Sequence, residues 1–178
     1  MCKDMIAIRP ETIDDLAAIY AVHDAAFGRT DESHLVRRLR RDADVIAGLT
    51  AVADGVAVRM AGHVVGHIVF SRLTIHTRTV PIPGVALAPM AVLPSHQRQG
   101  IGSALVREGI RTLRERHERV ILVLGHRDYY PRFGFSADLA RGLRCRFSGP
   151  AFMALELEAG VLDGVVGEVS YPEAFGPE

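Results

Sequence analysis

Apolar and polar positions change their period several times along the chain, and each change marks an element. Residues Met5 to Arg9 alternate loosely and stop at Pro10, which holds Arg9 extended, so a short first strand is expected. Thr12 with Asp15 three residues on has the form of a capping box, with Asp in place of the usual Glu. Ile13, Leu16, Ile19, Tyr20, Val22 and Phe27 then mostly recur at three and four, predicting a helix to about Gly28. A second helix is expected from Asp31 to Arg41, with Leu35, Val36 and Leu39 on one face and Arg37, Arg38, Arg40 and Arg41 over the rest. That arginine cluster reads first as a solvated face and only second as an anion site.

From Leu49 to Ile75 the pattern turns β-like, with Val-rich runs broken at Asp54-Gly55 and Ala61-Gly62, both plausible hairpin turns. Val64 to Ile75 is long enough for a central strand, and Thr77 to Gly84, with Pro81 and Pro83, reads as a loop. The next strand, Val85 to Leu93, carries Pro89 in its middle. A proline cannot donate to a sheet ladder, so a bulge or a parted neighbour is expected there. Gly100 to Arg116 has Ile101, Leu105, Val106, Gly109, Ile110 and Leu113 on one half of a helical wheel and charge on the other. Val120 to Leu124 is the continuous aliphatic run of a strand buried on both faces. Strand, Gly-rich turn, helix and buried strand together make a βαβ crossover between parallel neighbours. A helical turn over Asp128 to Phe133 and late strands at Leu143 to Phe147 and Phe152 to Glu158 follow, and the Gly- and Val-rich end is expected to cover an edge or frame a cleft. The predicted fold class is α/β, with a mixed central sheet splayed at a bulged strand (about 85–93) and flanked by helices.

A length of 178 residues suits one domain spanning 1–178, and no repeat, low-complexity block or linker divides it. The chain is 48% hydrophobic and 24% charged with formal net charge zero, as in an ordinary soluble fold, and this balance gives no global pull toward nucleic acid or an anionic membrane. Any anion site must therefore be local. Two cysteines, Cys2 and Cys145, suggest neither a disulfide framework nor a metal site. Lys3, Asp4 and Arg9 interrupt the apolar start, so no secretory signal is read, and a cytoplasmic protein is expected.

The local anion site falls at Met90-Ala-Val-Leu-Pro-Ser-His-Gln-Arg-Gln-Gly-Ile-Gly-Ser103, where a strand ends, a turn follows and an amphipathic helix starts. Unpaired amides and the positive dipole end of a helix bind a phosphate in that geometry. Gly100 and Gly102 let an anion approach the backbone, Arg98 adds a charge at the mouth, and His96 lies nearby. A P-loop would need a lysine where Gly102-Ser103-Ala104 has none. A dinucleotide fingerprint would need a small residue in place of Leu105 and an acid at the end of the next strand. The bland alternative, glycines serving only a tight turn, stays open at this point.

Gln97-x-x-Gly100-x-Gly102 resembles the acyl-coenzyme A signature of the GNAT N-acetyltransferase superfamily, Gln/Arg-x-x-Gly-x-Gly/Ala, and its place between Met90-Ala91-Val92 and a helix matches as well. In that family the preceding strand is bulged and parts from the next parallel strand, opening a slot for pantetheine, and Pro89 is an independent physical reason to expect the bulge. The resemblance implies that acetyl-coenzyme A (acetyl-CoA) is the cosubstrate. Met90, Ala91 and Val92 would line pantetheine, and the amides of Gln97, Arg98, Gln99, Gly100, Ile101, Gly102 and Ser103 would hold the pyrophosphate. It also implies an oxyanion donor on the backbone near Val92. The closing Gly167 to Phe175 resembles, more weakly, the tail of a bacterial branch, the YhbS-like proteins.

Acyl transfer from a thioester to an amine needs a neutral amine, a stabilised oxyanion and a proton for the leaving thiolate. In Tyr129-Tyr130-Pro-Arg-Phe-Gly134-Phe135, Tyr130 stands four before the glycine, where enzymes of the family carry their general acid, and Tyr129 takes a packing position. The alternative for Tyr130 is a half-buried core residue. Several relatives place a glutamate base on the preceding strand, but Val120 to Leu124 contains no acid, leaving His67, His126 and Asp128 as substitutes. His67 reads first as a satisfied core residue and only second as a base, and His63 with His67 lacks a third ligand for a metal. Asp24, Asp31 and Glu32 lie near the expected acceptor side. The resemblance thus points to an N-acetyltransferase without metal acting on the primary amine of a small molecule, peptide or protein, in a family that is often dimeric. A non-catalytic acyl-CoA sensor module is the alternative.

Overall fold

The computed structural model describes residues 5–54 and 63–176, so the two expected hairpin turns, at Asp54-Gly55 and Ala61-Gly62, lie outside or at the edge of the described residues. The elements run β1 (Met5–Pro10), α1 (Leu16–Phe27), α2 (Asp31–Arg41), β2 (Val45–Asp54), β3 (His63–His76), β4 (Ile82–Val92), α3 (Ile101–Glu115), β5 (Val120–Leu124), β6 (Leu143–Arg144), β7 (Phe152–Glu156) and β8 (Gly167–Ser170). The strands form a mixed sheet in the order β1-β2-β3-β4-β5-β7, with β8 pairing both β3 and β6. β4 and β5 run parallel across the α3 crossover, as the pattern predicted, whereas β1 to β4 are antiparallel in sequence. β2 leaves β3 at Ser71, and β8 takes up the same strand from Thr74 to His76.

Alternation along β3 sorts the core. Ile68 and Phe70 face α3 with Ile101, Leu105, Val106, Ile110 and Leu113, while Val69 joins Ile19, Val22, Val36 and Leu39 of α1 and α2 on the opposite face. A Cβ at Gly109 would stand 2.2 Å from the Phe70 ring, so this glycine sets how closely α3 lies on the sheet. A further cluster, built from Leu73, Ile75, Leu122, Phe152 and the later residues Val161 and Leu162, sits under the C-terminal strands.

Several boundaries depart from the sequence reading, with β2 starting at Val45 before the expected Leu49 and β7 ending at Glu156 short of Glu158. β4 begins at Ile82, inside the expected Thr77 to Gly84 loop, because Pro83 near a strand end sacrifices only a terminal ladder bond; Thr74 and Pro83 are partners. The first late strand is confined to Leu143–Arg144, and its neighbour Cys145 instead takes the Ser148 hydroxyl on its N–H at 2.9 Å, which starts a turn. The Thr12 to Asp15 capping box is present. The Asp15 carboxylate accepts from the Thr12 N–H and hydroxyl at 2.7 and 2.9 Å, and a 3-10 turn leads into α1.

Candidate active site

Pro89 has the consequence its chemistry dictates. Opposite it the β3–β4 register slips, from Phe70↔Leu87 to Ile68↔Met90, so two residues of β4 face the single residue Val69. On its other edge β4 meets β5 only at Val85↔Ile121 and Ala86↔Leu122. Past Ala86 the strands part, and a cavity of about 1080 Å³ opens between them. Its walls are Leu87 to Val92 on one side and Leu122, Leu124 and Gly125 on the other.

At one end lies the Gly-rich turn. Arg98 and Gly100 both have left-handed backbone, φ 61° and 87°, and the Gln97 side chain donates to the Val92 carbonyl at 3.0 Å, tying the turn to the end of β4. The Ala104 N–H bonds the Gly100 carbonyl, so the preceding amides of Ile101, Gly102 and Ser103 lack a helical acceptor. A Cβ at Gly102 would stand 2.9 Å from the Tyr129 hydroxyl and within van der Waals reach of Met90 and Val92; one at Gly100 would meet nothing. The turn is thus an open cradle of amides at the start of a fifteen-residue helix, with room for an anion. Met90, Ala91, Val92, Gln97, Arg98, Gly100, Ile101, Gly102 and Ser103 all line the cavity. Gln99 does not; its amide side chain donates to the Ser95 carbonyl and braces the turn from outside.

Tyr130 lines the same cavity as the parted strands. It follows Gly125, where a Cβ would fall 2.1 Å from the Tyr130 ring, so the end of β5 must be bare for the tyrosine to pack there. The ring makes edge contacts with Tyr129 and Phe135. Burial, and to a lesser degree the neighbouring Tyr129, pushes the Tyr130 phenol well above its ordinary pKa, so it stays protonated at neutral pH. Tyr129, expected only to pack, brings its hydroxyl to the Gly102 cradle.

Of the substitutes for the missing base, His126 lines the cavity, and His67 and Asp128 do not. His67 is fully buried in a polar chain that sequence spacing did not reveal. Its Nε2 lies 2.8 Å from Glu11 Oε2, its Nδ1 lies 2.8 Å from His23 Nε2, and Glu11 also pairs with Arg40. Gly48 makes this geometry possible, since any Cβ there would overlap the Glu11 carboxylate. Desolvation lowers His67, against the opposing pull of Glu11, and lowers His23 to about 3. Burial alone would raise Glu11, but hydrogen bonds from His67 and Arg40 carry it down to about 2. With both imidazoles neutral the tautomers follow. His67 donates from Nε2 to Glu11, His23 donates from Nε2 to His67, and His23 Nδ1, which has no partner, is a bare lone pair.

Phe27, Leu35, Phe147, Tyr171 and Phe175 line the cavity away from the turn, and Arg29, Asp31, Glu32 and Arg38 line it as well. Asp24 is not among the lining residues. The closing segment was expected to cover an edge or frame a cleft, but the meeting of Phe147 with Tyr171 and Phe175 was not, because Phe147 lies far from the other two in the sequence.

The sequence model of the acetyltransferase (GNAT) domain matches residues 7–137. The chain is 34% identical over 170 residues to the N-acetyltransferase YhbS of Escherichia coli K12, a protein of uncharacterised activity, covering 94% of this chain and 97% of that one. It is 39% identical over 121 residues to the similarly uncharacterised YjhQ of the same organism, covering 68% and 64%. Among solved structures, E. coli YhbS in complex with CoA matches with a TM-score of 0.86 at 32% identity, covering 98% of this chain and 94% of that chain. A GNAT acetyltransferase from Brucella melitensis in complex with acetyl-CoA matches with a TM-score of 0.78 at 32% identity, covering 97% and 99%.

Proposed function

Because the chain belongs to the acetyltransferase (GNAT) family, we propose that it transfers an acetyl group from acetyl-CoA to a primary amine by direct attack on the thioester. The carrying observation is that one cavity joins the amide cradle at Gln97 to Ser103, the parted strands and the Tyr130 ring. The bare Gly100 and Gly102 backbone fits a pyrophosphate, and the bulged edge from Met90 to Val92 fits the pantetheine arm, because its β5-facing side has lost its strand partner. Acetyl-CoA supplies the acyl group in activated form as a thioester. In the transfer a C–N bond forms and the C–S bond breaks; the amine gives up one proton and the thiol gains one.

Tyr130 is the donor to the thiolate, held protonated by its burial, and its packing in the space above Gly125 on the lining of the cavity supports that role. His126 is the acceptor for the amine proton, directly or through water, since it lies on the same cavity. A first experiment combines calorimetry of acetyl-CoA binding with thiol release across an amine panel. Tyr130→Phe is expected to lower kcat by about 100-fold, at the lower end for loss of a general acid, with acetyl-CoA affinity unchanged. Full turnover in that variant would remove Tyr130 from the reaction. Binding without release for every amine would favour a sensor module.

A further inference from the structure

We infer that the acceptor is a monoamine carrying an aromatic or branched alkyl body, and that Phe27, Leu35, Phe147, Tyr171 and Phe175 form its binding site. The inference rests on the reading of the cavity as an acyl-transfer site and adds the chemistry of its second substrate. These side chains line the end of the cavity away from the Gly-rich turn, contributed by α1, α2 and the segments flanking β6 and β8. Large apolar side chains left open to solvent inside a concave site mark what the site is built to cover. Phe27 is 42% exposed and Leu124, on the adjoining wall, 52%, and both face this cavity.

The aromatic wall is prearranged. Phe147 and Phe175 each pack on Tyr171 with ring centroids 5.1 Å apart. Arg38 Nε donates to the Ala174 carbonyl at 2.9 Å and Arg146 donates to the Phe175 carbonyl at 2.6 Å, which fixes the turn that carries Phe175. Rings held in this way lose little freedom when a ligand arrives.

Charge on the lining argues against a polycation. Arg29 spans Asp31 at 3.6 Å and Glu32 at 2.6 Å, so both carboxylates are already answered, and Arg38 adds a further positive group. A spermidine or aminoglycoside would meet guanidinium groups here without an unpaired acid for its additional ammonium groups. An apolar body gains from the rings, and apolar surroundings disfavour the ammonium form. That second effect helps deliver a neutral nucleophile on a strand that has no glutamate.

The test measures thiol release by the full chain with acetyl-CoA and 2-phenylethylamine, isoamylamine, ethanolamine, spermidine, kanamycin or a short peptide with a free N-terminus. The expected kcat/KM for the two apolar amines exceeds that for ethanolamine by about tenfold or more, the usual return for burying such a body. Phe27→Ala, a change at an exposed position that spares the fold, and Phe147→Ala should each raise KM for 2-phenylethylamine about fivefold and leave the acetyl-CoA Kd within about twofold. Preferred turnover of ethanolamine, spermidine, kanamycin or the peptide overturns the inference and leaves the transferase reading standing. Acetyl-CoA binding with no thiol release from any acceptor overturns both.

Discussion

At the scale of single residues, the site depends on where one phenol proton resides and on one missing side chain. Burial raises the Tyr130 pKa, so its donor form persists at alkaline pH, and kcat should rise as the amine deprotonates and then stay level to about pH 10, the ordinary phenol value. A rate profile measured from pH 6 to 10 checks this; a descending limb below about pH 9 that vanishes in Tyr130→Phe would mean a phenol that ionises early. Gly125→Ala makes a separate claim. Its new methyl would overlap the Tyr130 ring, so the ring must leave its place, and turnover should fall nearly as far as in Tyr130→Phe while acetyl-CoA still binds. Near-normal turnover in Gly125→Ala would show that the position of the ring is immaterial.

At the scale of elements, two glycines of α3 carry different duties that substitution separates. Gly109→Ala forces a methyl into Phe70 and should cost roughly 1–3 kcal/mol of stability by overpacking, with acetyl-CoA affinity retained in the folded protein. Gly102→Val fills the cradle next to the Tyr129 hydroxyl and should weaken acetyl-CoA binding by about tenfold or more while the melting temperature changes little. Thermal melts with and without acetyl-CoA read both effects. Equal responses from the two variants would deny the division. These features were legible in the sequence because they are local: α3 has a clear helical period, the glycines stand at fixed offsets, and Pro89 lacks an N–H wherever it is placed. The start of β4 was not, since Pro81 and Pro83 imitate a loop and only pairing with β3 reveals a strand. Nor was the aromatic end. Phe27, Phe147 and Phe175 are far apart in sequence, and although Phe27 belongs to the helical period of α1, the wall that the three share follows from tertiary placement.

At the scale of the whole molecule, the buried chain Arg40, Glu11, His67 and His23 ties α2, the β1–α1 connection, β3 and α1 across one face of the sheet, and it makes folding sensitive to acid. The sign follows from proton uptake. Unfolded, His23 accepts a proton as the pH falls through 6.5; folded, it refuses one until about 3. The unfolded chain therefore binds more protons in that window, and stability present above pH 6.5 is lost as the pH falls. His67 is depressed in the same direction, and Glu11, carried from 4.5 to about 2, adds a further loss below pH 4.5. Each buried histidine contributes a slope of up to about 1.4 kcal/mol per pH unit. Urea denaturation should give level stability from pH 8 to 7 and a fall from pH 6 to 5 of up to about 3 kcal/mol for the pair. His23→Leu removes one of the two titrations and leaves the His67 Nδ1 without its donor. It should lower stability at pH 7 by about 1–3 kcal/mol and roughly halve the acid slope. A slope that is flat in the parent protein, or unchanged in the variant, would show that the histidines are charged in the folded state. The chain would then be a buried ion cluster, not the neutral relay that the bare His23 Nδ1 requires.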